Sequence, residues 1–131
     1  LVGSEMCIRD RYIVEDTTPP YITDVIAVNA TSVEVVFSEI IDRLTAENTE
    51  NYTINNGIQV LAASLYEDLK TVLLSTTEHE PNETYILTVN NIKDRAYPPN
   101  VIVPNSSFEY TYIVDTDSYD LIVNNFSIKN Y

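Results

Sequence analysis

Apolar and polar side chains alternate along most of this chain in short runs, and clusters of polar and turn-forming residues separate the runs. A period of two puts every second side chain on the same face, the mark of a half-buried strand. In the run at 32–38, Val33, Val35 and Phe37 share one face and Glu34 and Ser38 the other, with Val36 breaking the polar side. The run at 84–89 places Tyr85, Leu87 and Val89 inward and Thr84, Ile86 and Thr88 outward. Phe108, Tyr110 and Tyr112 alternate with Glu109 and Thr111 as a final strand. Residues 60–66 and 71–76 read as a hairpin around 67–70, with Leu61, Ala63 and Leu65 facing Val72 and Leu74 across the core. A first strand at 21–28 slips its apolar phase near Thr23 and Asp24, which predicts a bulge or a change of sheet.

Between these runs, 39–51 is the least strand-like segment and predicts one helical turn, with Thr45 as its cap and Asn48 one turn later. Residues 51–54 form a short strand, Asn55-Asn56-Gly57 a turn signal, and 96–104 a proline-rich loop. Strand signals at regular spacing without a sustained helical period predict an all-β, two-sheet sandwich of about seven strands rather than βαβ units. A length of 131 residues fits one such domain with a flanking segment at each end. The expected division is a tail and linker at 1–18, the sandwich at 19–114, and at 115–131 a linker followed by the start of another β-module. Pro19-Pro20 favours a stiff, extended entry to the sandwich. The run LIVNNFSIK at 121–129 resembles a first strand of that next module.

Four landmarks in order resemble a bacterial immunoglobulin-like (SbsA-type) domain. VEVVFSE at 33–39, ending in Asp42, is similar to the family's V-x-V-x-F-S-E-P-V-D signature. NYTI at 51–54, KTVLL at 70–74, and Thr84-Tyr85 with Leu87, Val89 and Asp94 match further family motifs. The chain departs from the pattern in its loops. Ile40 stands in place of a common Pro, Leu69 in place of the Gly of a D-G-K turn, and Tyr97-Pro98 in place of the G-N of a D-x-A-G-N loop. A fibronectin type III sandwich is the close structural rival. Its L-x-P-x-x-x-Y corner is met at Pro81 and Tyr85, but His79 stands where that motif has Leu. On either resemblance a tyrosine corner is expected at Tyr85, its hydroxyl bonded to nearby main chain.

Charge narrows the partners. Seven Lys and Arg against twenty Asp and Glu give a net charge of −13. That balance opposes binding to nucleic acid, whose affinity comes from cations on phosphates, and docking on anionic lipid. No apolar run reaches the roughly 18 residues a membrane helix needs, so membrane insertion is not expected. Residues 1–11 (LVGSEMCIRDR) resemble a translated sequencing-adapter string and hold the one Cys, the one Met and one of the two Gly. They are excluded from functional reading. With Cys7 set aside, no disulfide staples the sandwich.

Little points to catalysis. His79, in Glu78-His79-Glu80, reads as a solvated turn residue, because a lone His lacks partners for a zinc site or a triad. No G-x-S-x-G, P-loop or G-x-G-x-x-G motif occurs. Asp115, Asp117 and Asp120 alternate in a linker and could offer oxygens to a weakly held Ca²⁺; Glu15 with Asp16, or Glu39 with Asp42, could do likewise. The bland reading of each cluster is a solvated loop. Tyr66, Tyr97 and Tyr119 are the exposed aromatic candidates for stacking on sugar. The five glycosylation triplets, beginning at Asn29, Asn51, Asn82, Asn105 and Asn125, read as chance in an Asn- and Thr-rich chain.

The resemblance implies a non-catalytic structural or adhesive spacer in a larger secreted or cell-surface bacterial protein. Its partners would be neighbouring domains of the same polypeptide and a cell-surface glycan or protein, with no cofactor beyond weak Ca²⁺. The alternative is a carbohydrate- or calcium-binding accessory module appended to an extracellular hydrolase.

Overall fold

The structure, a computed structural model, describes residues 17–114. Seven strands follow one another along the chain: β1 (Ile22–Asn29), β2 (Ser32–Phe37), β3 (Tyr52–Ile54), β4 (Val60–Leu65), β5 (Thr71–Thr76), β6 (Thr84–Val89) and β7 (Ser106–Thr111). They form two antiparallel sheets, ordered β1-β2-β5-β4 and β3-β6-β7. Four strands against three is the arrangement of a constant-type immunoglobulin sandwich, so the all-β expectation of about seven strands holds.

The inward faces are those the alternation marks. Val33, Val35 and Phe37 of β2 and Val72 and Leu74 of β5 pack against Tyr85, Leu87 and Val89 of β6 and Tyr110 of β7. The slip in β1 is a bulge: the register with β2 shifts between Ile22 and Asp24. It lets Ile22 pack on the core and still returns Val25 and Ala27 to the inward face.

Three details depart from the sequence reading. Leu61 does not face the core; it is 61% exposed. A register shift between Val60 and Ala62 reverses the phase, so Val60 packs inward, while Ala63 and Leu65 pair with Leu74 and Val72 as expected. The helical turn, α1 (Arg43–Ala46), is capped by Asp42 rather than Thr45. The Asp42 carboxylate reaches the Thr45 N–H at 3.0 Å, while the Thr45 hydroxyl lies one turn in and donates to the Asp42 carbonyl. Asn48 does cap, but a separate 3₁₀ turn over Thr49–Asn51. His79, the third departure, is buried rather than solvated.

The β4–β5 turn shows how the chain manages without its family glycine. Leu69 takes a left-handed φ of 62°, and Asp68 holds the turn by accepting from the backbone N–H groups of Lys70 and Thr71 and from the Thr71 hydroxyl. These bonds, led by that from Lys70, hold the Asp68 carboxyl below its ordinary range.

Strand direction sorts the loops into two poles. The chain enters β1 at one pole, shared by the connections β2–β3 (38–51), β4–β5 (66–70) and β6–β7 (90–105). The β1–β2, β3–β4 and β5–β6 turns lie at the other, where β7 ends. The sandwich therefore has an entry pole and an exit pole.

The register makes a direct prediction. Phe37→Ala should cost about 3–5 kcal/mol, as expected for a buried aromatic, and Leu61→Ala within about 0.5 kcal/mol. Denaturant titration of both variants checks it; equal costs would mean that the β4 phase is misplaced.

Candidate functional site

At the exit pole, the β5–β6 connection is fastened to the body of the sandwich through two rings. The Tyr85 hydroxyl accepts the Glu80 backbone N–H at 2.8 Å, the expected tyrosine corner. His79 is 1% exposed and lies edge-on to Tyr85, with ring centroids 4.6 Å apart and planes at 73°. Its Nδ1 lies 2.9 Å from the Ala30 carbonyl oxygen and its Nε2 lies 2.8 Å from the Tyr110 hydroxyl. A carbonyl only accepts, so Nδ1 donates to Ala30, and in the neutral ring Nε2 then accepts from the Tyr110 hydroxyl. One imidazole thus ties the β5–β6 connection to the β1–β2 turn and to β7. Both ring nitrogens are thereby engaged within the fold. The sequence did contain a signal for this burial: His79 occupies the Leu position of the L-x-P-x-x-x-Y corner, which is an interior position.

The entry pole carries a cleft of about 590 Å³ between α1 and the β6–β7 connection. Its lining includes Arg43, Leu44, Lys93, Arg95 and Tyr97. The loop from 94 to 100 is closed at its base by Asp94. Its Oδ1 accepts from the backbone N–H groups of Ala96 and Asn100, and its Oδ2 from the Asn100 side-chain amide. Arg95 turns back and donates Nε to the Ile41 carbonyl at 2.8 Å. Between these ties Tyr97 stands 97% exposed. Arg43 pairs with Glu47 at 2.9 Å, and Glu47 also accepts from the Leu65 N–H, fixing α1 to β4. Both acidic residues of the lining are engaged within the fold, Asp42 as the α1 cap and Asp94 as the loop clamp.

The other candidates separate. Tyr66 is half-buried and donates to Glu34 at 2.8 Å, a bond that raises its phenol above the ordinary range. Asp115, Asp117 and Asp120, with Tyr119 and the pair Glu15 and Asp16, lie outside the described residues. Asp42 is a cap rather than a free ligand. No group of three or more His, Cys, Asp or Glu able to hold a metal occurs among the described residues. None of the described helices is long and apolar enough to cross a membrane.

Sandwich topology, tyrosine corner and signature strands together define an immunoglobulin-like module. The chain belongs to the bacterial Ig-like domain family, whose model matches residues 10–112. It is 34% identical over 104 residues to an outer cell wall protein of Brevibacillus brevis (strain 47 / JCM 6285 / NBRC 100599), a match covering 76% of this chain and 10% of the relative. It resembles the crystal structure of the S-layer protein rSbsC(31-844), with a TM-score of 0.66 and 22% identity over 73% of this chain and 14% of that one. The N-terminal part of the S-layer protein SbsC gives the same TM-score at 24% identity, over 73% of this chain and 24% of that one. At these identities the two structures speak for the fold. The chain thus spans about a tenth of the length of its cell-wall relative.

Two predictions come from the buried rings. His79→Ala should cost about 2–4 kcal/mol, because it removes packing and leaves buried partners unpaired, and Tyr110→Phe about 1–3 kcal/mol. Thermal or urea unfolding checks both, and a His79→Ala variant as stable as the parent would show that the ring is not a tie. Burial raises the phenols of Tyr52 and Tyr110 above the ordinary range, helped by the charge of Glu47 at Tyr52 and by Tyr85 at Tyr110. In the unfolded chain both would ionise near pH 10. Their contribution is therefore whole below about pH 10 and is lost as pH rises above it. Absorbance at 295 nm should show a class of tyrosines that ionise only as the fold is lost; ionisation of every tyrosine near pH 10 with the fold intact would contradict it.

Proposed function

We propose that this domain is a non-catalytic, load-bearing spacer of a larger secreted or cell-surface protein, joined at each pole to neighbouring domains. The observation that carries the reading is the separation of the chain's entry and exit to opposite poles. Tension applied along the polypeptide pulls β1 from one end and β7 from the other. Both strands run from the entry to the exit pole, so the load shears them along their length rather than peeling one off its neighbour. Relatives described as outer cell wall and S-layer proteins agree with the expected extracellular setting. An adhesive or sugar-binding role is a second reading, favoured by Tyr97, fully exposed beside cationic side chains.

Force spectroscopy tests the spacer reading. The 131-residue chain, pulled by its ends between marker domains, should resist until one cooperative rupture. That rupture should release roughly 3.3–3.6 Å for each folded residue. Unravelling in several small steps from β1 onward would count against a load-bearing role.

A further inference from the structure

Of the asparagines in this chain, Asn56 alone precedes a glycine, and the β3–β4 connection sets that pair on the surface at the exit pole. The turn is pinned on both sides. Asn55 donates its N–H to the Ile86 carbonyl at 3.2 Å and accepts the Ile86 N–H on Oδ1 at 2.9 Å. Gln59 donates its N–H to the Thr77 hydroxyl at 2.9 Å and accepts the Thr77 N–H on its carbonyl at 3.0 Å. Between these anchors the ties are slack. The Ile58 N–H reaches the Asn55 carbonyl only at 3.4 Å, and the Asn56 Nδ2 reaches the Thr84 carbonyl only at 3.5 Å. The Gly57 N–H donates to no group among the described residues. A Cβ built on Gly57 would meet no atom within 4 Å.

Asn56 and Gly57 hold left-handed φ values of 59° and 82°, the pair of conformations that a tight Asn-Gly turn uses. Glycine crosses between left-handed and extended backbone at little steric cost, and only long bonds hold this turn. When the turn opens, the Gly57 nitrogen can approach the side-chain carbonyl carbon of Asn56, and no Cβ stands in its way. The other asparagines with a left-handed backbone lack this pairing. Asn82, Asn91 and Asn105 precede Glu83, Ile92 and Ser106. Their side chains are also engaged: Asn82 accepts the Val114 N–H, Asn91 donates to Asn51, and Asn105 accepts from Asn90.

We propose that Asn56 is a self-modification site, at which the Gly57 backbone nitrogen displaces the side-chain amide of Asn56 as ammonia. A bond forms from Gly57 N to Asn56 Cγ, and the Gly57 amide proton passes to hydroxide. The Cγ–Nδ2 bond breaks, and Nδ2 takes a proton from water and leaves as ammonia. The product is a five-membered succinimide, which water then opens. Addition of water at Cγ leaves aspartate. Addition at the backbone carbonyl carbon leaves isoaspartate, whose main chain runs through Cγ and is one methylene longer. Water is the one co-reactant. Either product sets a new carboxylate at the exit pole, where Glu78, Glu80 and Glu83 are already exposed. The anchors at Asn55 and Gln59 confine the change to the turn, so the sandwich survives it. The proposal does not depend on the spacer reading.

Incubation of the whole folded chain in heavy-oxygen water, at neutral and at mildly alkaline pH, tests this. Ring opening writes the heavy oxygen into the product, so reaction during the incubation is told from reaction before or after it. Peptide mapping with electron-transfer fragmentation should find labelled aspartate and isoaspartate at position 56, ahead of every other described asparagine. Labelling should be faster at the higher pH, because hydroxide takes the amide proton. Gly57→Ala should slow it at least about tenfold, since a Cβ crowds the attacking nitrogen. Asn56→Gln keeps an amide but would need a six-membered ring, and should carry no label at that position. Circular dichroism checks that both variants fold; if Gly57→Ala does not, Asn56→Gln still decides. No label at position 56, label spread evenly over the asparagines, or label there only once denaturant is added would each overturn the proposal. So would a folded Gly57→Ala variant labelled as fast as the parent, or label persisting in Asn56→Gln.

Discussion

Two sheets without a covalent tie must be held together by the apolar layer they share. The chain has a single cysteine, in its first eleven residues, so no disulfide within it can cross the sandwich. The layer made by Val33, Val35 and Phe37 against Tyr85, Leu87 and Val89 therefore sets the distance and angle between the sheets. All else is placed by it. It fixes which ends of the strands lie together, and so which loops share a pole.

The two poles solve the same problem in opposite ways. Each must close the open end of a sandwich without leaving buried polar groups unpaired. The exit pole closes with rings: His79, Tyr85 and Tyr110 fill the end, and their polar atoms find partners on Ala30, Glu80 and each other. The entry pole closes with aliphatic side chains and backbone ties. Ile41, Ile92 and Ile102 plug the interior, while Asp42 and Asp94 gather the loop N–H groups above them. Arg43, Lys93 and Arg95 line the cleft beside these carboxylates, with Arg43 paired to Glu47 and Arg95 tied to the Ile41 carbonyl.

Departures from the family pattern fall where the core does not constrain them. Leu69 keeps the left-handed conformation that the turn demands, held by Asp68, although it lacks the freedom of glycine. The 94–100 loop is closed by the bonds of Asn100 to Asp94 and extends between those anchors, with Tyr97 in solvent.

Alternation alone was enough to establish the class of fold, the inward set on β2, β5 and β6, and the slip in β1, since a period of two is a local property that survives any arrangement of the sheets; that the slip is a bulge rather than a change of sheet was decided by the pairing with β2. The corner at Tyr85 was legible for a similar reason, its partner lying only five residues away. The burial of His79 was written in the spacing of that corner, yet composition argued the other way, because a histidine between two glutamates suits a solvated turn. Leu61 was misplaced because its phase is reversed by a shift against β5, which no property of β4 alone reveals. The cleft was beyond reach of the sequence for the strongest reason. Arg43 and Lys93 lie on two connections far apart along the chain, and the bridge of Ile41 to Asp94 is what brings those connections together. Local pattern decided which residues are strands and which side of each is buried. The meeting of distant loops at a pole depends on how the two sheets stack, and only the tertiary structure decided that.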